Sequence, residues 1–236
     1  AGKFEQFVTY TYTGEAATLV FTLAGNTYMP YFFAEACDIT PCEVIFKDQN
    51  GTELGRIETY EGATLAEIPY TEANLPAIEE GSKFRGWYYN SGKKVTVGDV
   101  INGNTTIQAL VTPIETATVG SVQTYPLNNS IFYPEDHETI EIAGGSFHDG
   151  THGWHFAANG TIKVQVAGNA VVVVTMCTYS ESGEVVVTDA AGVELGRDSV
   201  IKSETADGAT ASFRYAGDPT TLTITMTEKA YIHKVV

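Results

Sequence analysis

The segment Thr221-Leu222-Thr223-Ile224-Thr225-Met226-Thr227 alternates polar and apolar side chains without a break. Successive side chains of a strand point to opposite faces, so this pattern fits a strand with one face buried. It does not fit a helix, whose apolar stripe recurs every three to four residues. The same texture runs through the chain: Thr, Val, Tyr and Ile dominate, Gly and Asn punctuate, and only residues 63–68 hint at a helical period. Residues 162–175 read as two strands joined by the turn Ala167-Gly168-Asn169-Ala170. The sequence predicts a mainly all-β protein.

Composition sets the partners. With 236 residues, 43% of them hydrophobic and 11% aromatic, the chain has enough apolar surface to bury a core and is not disordered. Its 29 acidic and 13 basic side chains leave a formal charge of −16. That field repels nucleic acid and anionic membranes, which are bound by clustered Lys and Arg, so nucleic acid is excluded as a partner. It also opposes a bare polyanion unless a cation bridges the two. No run of about 18 apolar residues occurs, so no membrane insertion is expected. The chain opens at Ala1 without a basic and apolar leader; a secretion signal is expected to have been removed or to belong to a longer parent. Cys37, Cys42 and Cys177 are too few and scattered for a disulfide framework or a thiolate zinc site. Cys37 and Cys42 could close a small loop around Pro41 or stand as two free thiols, and Cys177 is expected to be a small buried hydrophobe.

An internal repeat sets the boundaries. Tyr12-Thr13-Gly14-Glu15 through Thr18-Leu19, Thr22 and Tyr28 aligns without a gap onto Tyr215-Ala216-Gly217-Asp218 through Thr221-Leu222, Thr225 and Tyr231. Residues 1–41 are therefore expected to be a partial copy of the C-terminal domain, its last two strands. A lone hairpin is marginally stable, so this remnant is expected to add to a sheet edge, its own or a neighbouring chain's. A shorter echo pairs residues 43–48 and 51–56 with 184–189 and 192–197, each reading as strand, glycine turn, strand.

Two resemblances follow from particular motifs. Val44-Ile45-Phe46-Lys47-Asp48, Gly51, Leu54-Gly55, Tyr60-Glu61-Gly62, Phe84-Arg85-Gly86-Trp87-Tyr88 and residues 101–109 make the segment 42–115 similar to the Listeria–Bacteroides repeat, a small β-grasp-like module of bacterial surface proteins. The resemblance implies a spacer or adhesive role in a secreted or cell-surface bacterial protein. Trp87 could stack on a sugar, but in so small a module it is expected to fill the core. From residue 116 to 236, Asp149-Gly150-Thr151-His152-Gly153-Trp154, Asn159-Gly160-Thr161-Ile162, Cys177-Thr178-Tyr179-Ser180 and residues 230–235 resemble the β-sandwich modules appended to bacterial pectate lyases and pectin esterases. That resemblance implies a jelly-roll-type sandwich and a non-catalytic, carbohydrate-binding part of a plant cell-wall-degrading enzyme.

All five histidines lie beyond residue 136, and three of them crowd into residues 147–155 beside Trp154. A sugar site needs an aromatic face for the apolar side of a pyranose and polar groups for its hydroxyls. Trp154 and Tyr179 could supply faces; Asp149, His152, His155, Arg214 and His233 could supply hydrogen bonds. On a strand His152 and Trp154 share a face while His155 points away, and Tyr231 and His233 share a face. The alternative is that His152 and Trp154 are core residues. His148, His152 and His155 have helix-like spacing, but Gly150 and Gly153 oppose a helix, and zinc, which needs convergent ligands, is not expected. Calcium fits better, with Glu135 and Asp136 as ligands in a structural site, although the same carboxylates also suit a solvated loop. No paired-carboxylate or nucleophile–base motif points to catalysis. The segment 116–236 carries about fourteen acidic against six basic side chains, so the ligand expected is methyl-esterified pectin, neutral galactan or arabinan, or calcium-bridged uronate. The rival reading is a structural or adhesive linker with no sugar site.

Overall fold

Alternation decides the first strands. In a computed structural model, which describes Tyr12 and residues 20–22, 38–178, 183–200 and 209–236, Pro41–Lys47 (β1) turns Cys42, Val44 and Phe46 inward. The N-terminal hairpin, its edge addition and Cys37 lie outside the described residues. Glu53–Tyr60 (β2) pairs antiparallel with β1. Ser82–Tyr89 (β3) and Thr105–Pro113 (β4) complete a four-stranded sheet of order β2-β1-β4-β3, in which β1 and β4 run parallel. Trp87 is buried as expected, packed edge-on to Phe46 at 5.8 Å, with its indole N–H donating to the Tyr70 carbonyl at 2.9 Å.

The helical hint at 63–68 gives no helix. Ala63 and Leu65 drop into the core, and their backbones pair instead with residues 98–101: Leu65 N–H donates to the Asp99 carbonyl and Ile101 N–H to that of Ala63, both at 2.8 Å. Tertiary pairing outweighs a weak local preference.

A second core belongs to eight strands: Ile140–Asp149 (β5), Gly153–Val166 (β6), Ala170–Cys177 (β7), Glu184–Thr188 (β8), Glu194–Ser199 (β9), Ala209–Tyr215 (β10), Thr220–Met226 (β11) and Ala230–Val235 (β12). The long β6 makes this a sandwich. Its first half pairs with β12, its second half with β11, and β5 accompanies it throughout. One sheet is thus β10-β7-β12-β6 and the other β6-β11-β8-β9, joined where the β5–β6 hairpin bends.

Glycine allows that bend. Gly144, at φ 70°, approaches Gly160 so closely that a Cβ would sit 3.1 Å from its Cα. A Cβ on Gly145 would lie 2.5 Å from the Phe156 ring. Phe156 is buried with Met176 and Ile232 from one sheet and Ile162, Leu222 and Ile224 from the other. The fold is the all-β, jelly-roll-type sandwich of the sequence reading.

One local reading needs correcting. β6 and β7 do not pair, so Gly168 and Asn169 lie in an arch that carries the chain between sheets, not in a hairpin turn. Val164 and Val172 then face the same core from opposite sides. The β1–β2 and β8–β9 hairpins, paired by the sequence echo, do share local chemistry. The Oδ1 atoms of Asp48 and Asp189 each accept two backbone N–H groups in the turn, and Arg56 and Arg197 each bridge two glutamates.

The two cores meet through charges. Arg85, on β3, has a side chain only 1% exposed and donates to both oxygens of Glu138, just before β5. Lys94 Nζ pairs with Glu135 at 3.1 Å and Asp136 at 2.7 Å, and the Tyr88 hydroxyl donates to Asp136. Among the described residues no helix is long and apolar enough to cross a membrane.

Candidate functional site

The chain between β5 and β6 reverses over residues 150–152, and Asp149 organises the reversal. Its Oδ1 accepts the backbone N–H groups of Thr151 at 2.8 Å and His152 at 2.6 Å. A carboxylate that bonds its own backbone two residues on is a standard turn former. Gly153 follows at φ 81°, where a Cβ would lie 2.2 Å from the Ile232 carbonyl oxygen, so only glycine fits.

Because His152 sits in this turn and not on the strand, it does not share a face with Trp154. It swings to the outer side of the sheet, where the Tyr231 ring collects three imidazoles. Ring centroids lie 5.2 Å away for His148, 5.6 Å for His152 and 5.1 Å for His155, the cross-strand partner of Tyr231. Lys229 Nζ stands 5.7 Å from the same ring centre. Tyr231 is buried beneath this group, while His148 is exposed and Asp149 and His155 are half-buried.

Charge is set locally. The Asp149 carboxyl is held down to about 2, first by the His152 side chain and then by the His152 N–H. An ionised carboxylate only accepts, so His152 Nδ1 carries the proton and donates to it at 2.9 Å. Burial pushes the His155 imidazole below its usual value, and Lys229 and His148 add positive charge in the same direction. His155 Nε2 is buried without a hydrogen-bond partner among the described residues.

The other sequence-predicted residues are placed differently. Trp154 points inward: it packs against the sandwich core and stands 6.5 Å from Phe156, its Nε1 enclosed and without a hydrogen-bond partner among the described residues. His233 is only 3% exposed, at an irregularity in the β12–β7 register, with its Nε2 3.4 Å from Cys177 Sγ. Cys177 is the cross-strand partner of Tyr231, so His233 keeps the side of the sheet expected for it beside Tyr231, but is buried there. Arg214 is exposed on the same outer face as Tyr231, but its partner Val171 lies six residues along β7 from Cys177, the partner of Tyr231. That separation is about 20 Å at strand rise. Tyr179 lies outside the described residues.

Glu135 and Asp136 are bound to Lys94, which places an ammonium where calcium would need open oxygens. Tyr231, His148 and Lys229 complete the outer patch. Reading each residue on an unbroken strand missed that grouping, although Tyr231 recurs in the repeat at Tyr28. A concavity of about 850 Å³ lies where the two cores meet, lined by Tyr88, Tyr133, Asp136 and His137 among others. Its polar groups are largely engaged: Asp136 holds Lys94 and Tyr88, and His137 Nδ1 pairs with Glu115 at 2.8 Å.

Comparison with known protein families and with curated proteins finds no match. Among solved structures the chain is similar to a family 6 carbohydrate-binding module from Cellvibrio mixtus lichenase 5A in complex with cellotriose. Identity is 9% and the TM-score 0.35, over 48% of this chain and 93% of that one. A family 36 carbohydrate-binding module in complex with calcium and xylotriose gives 13% identity and a TM-score of 0.35, over 49% and 98%. The C-terminal family 6 module of a laminarinase from Zobellia galactanivorans gives 12% and 0.33, over 48% and 95%.

Proposed function

We propose that the sandwich binds polysaccharide on its outer face, around the Tyr231 ring. The observation that carries this reading is the convergence of His148, His152, His155 and the Asp149 carboxylate on one tyrosine, on the side of the sheet facing away from the core. Imidazoles and a carboxylate offer donors and acceptors for sugar hydroxyls. The ligand proposed is plant cell-wall polysaccharide: methyl-esterified pectin, or its neutral galactan or arabinan side chains, since the acidic chain repels bare polygalacturonate. The role proposed is binding without chemistry, within a secreted bacterial pectin-degrading enzyme. Residues 1–41 would be the partial sandwich copy, 42–115 the Listeria–Bacteroides-type spacer and 116–236 the binding module.

A second reading has its own support. The buried Arg85–Glu138 pair and the Lys94 contacts fix the two cores against each other, as a structural or adhesive linker would require. Affinity gel electrophoresis with pectin, galactan, arabinan and xylan separates the two. Binding predicts retardation on a pectic polymer and its loss in His155→Ala with the thermal transition intact. Equal mobility in all four gels favours the linker.

A further inference from the structure

We propose that His148, Asp149 and His152 form a binding site for a divalent transition metal of the zinc class. One ligand atom from each lies within 4.8 Å of the other two. His148 Nε2 is 3.4 Å and His152 Nδ1 is 2.9 Å from the same oxygen, Asp149 Oδ2. Two atoms each about 2.0–2.1 Å from one ion lie about 2.9–3.4 Å apart at right-angle to tetrahedral geometry, so these separations suit a shared ion.

The backbone fixes the carboxylate. Asp149 Oδ1 is engaged by the N–H groups of Thr151 and His152, which leaves Oδ2 turned toward the two imidazoles. An ion entering there replaces the proton on His152 Nδ1, which passes to solvent. Helical spacing is not what brings the imidazoles together; the Asp149 turn does. His148 and Asp149 keep 47% and 42% of their side-chain surface in water, so a further coordination position opens outward. Two imidazoles and one carboxylate suit zinc, cobalt, nickel or copper. Calcium, which takes six to eight oxygens, is not served.

The inference does not rest on the polysaccharide reading: a protein that ignores every glycan yet takes up one zinc overturns that reading alone. Tag-free protein titrated with Zn²⁺ in a non-chelating buffer is expected to take up one equivalent by calorimetry, undisturbed by a tenfold excess of Ca²⁺. His148→Ala and His152→Ala should each weaken uptake at least about tenfold, while His137→Ala leaves it unchanged. Because a turn variant can lose its fold, imidazole NMR of the unmutated protein supplies the second readout. Zn²⁺ should move the signals of His148 and His152 and leave those of His137 and His233. The assignment is overturned by no uptake, by competition from Ca²⁺, or by equal movement of every imidazole. It is also overturned by undiminished uptake in a folded double variant.

Discussion

Arg85 Nη2 donates to Glu138 Oε2 at 2.8 Å while its Nη1 bonds the other carboxylate oxygen, so one guanidinium of the four-stranded sheet grips one carboxylate of the sandwich. The Arg85 side chain is nearly inaccessible, whereas Glu138 keeps 24% of its surface in water. Losing the carboxylate leaves a buried cation uncompensated. Glu138→Ala is expected to cost about 3 kcal/mol, the lower end for breaking a buried pair. Chemical unfolding followed by far-UV dichroism checks this.

The same contact sets acid stability. Hydrogen bonds from Arg85 hold the Glu138 carboxyl down to about 2, below its ordinary 4.5. A folded-state value below the unfolded one adds stability that is complete above the unfolded value and lost as pH falls through the folded one. Thermal midpoints should therefore fall between pH 4.5 and 2. Asp149, held to about 2 by His152, contributes in the same window. Glu138→Gln should thus flatten the slope without abolishing it.

The corner of the sandwich gives a steric prediction. Gly145→Ala places a methyl group 2.5 Å from the Phe156 ring, which is fully buried and has no room to move. Overpacking of this kind costs about 1–3 kcal/mol. A double-mutant cycle with Phe156→Leu should recover part of the loss, since the smaller side chain removes the clash. Additive losses in urea titrations would place the cost elsewhere.

Trp154 packs on the core side, so its removal acts on stability. Trp154→Ala is expected to cost about 3 kcal/mol, the low end for a large aromatic because the residue is only partly buried. A differential scanning measurement should show the lowered transition. Loss of glycan retention at unchanged stability would instead mean that the indole faces the ligand.

Periodicity carried the architecture further than the site. Leu222, Ile224 and Met226 alternate in the sequence and are all buried, and Trp87 fills its small core as module size implied. Where alternation is interrupted, the reading of faces failed. Asp149 and Gly153 build a turn that moves His152 across the sheet. Arg214 shows a further limit: the face was legible, but distance along it depends on strand order, which no local pattern encodes. The acidic residues at 135 and 136 look free in sequence because Lys94, their partner, lies about forty residues away in the other core.

The most direct test of the binding surface is a titration of ¹⁵N-labelled protein with methyl-esterified pectin or galactan oligosaccharides, followed residue by residue. Shifts confined to residues 146–155 and 229–231 are the predicted result. Shifts at Tyr88 and Tyr133, in the cleft between the two cores, or no shifts at all, would contradict it.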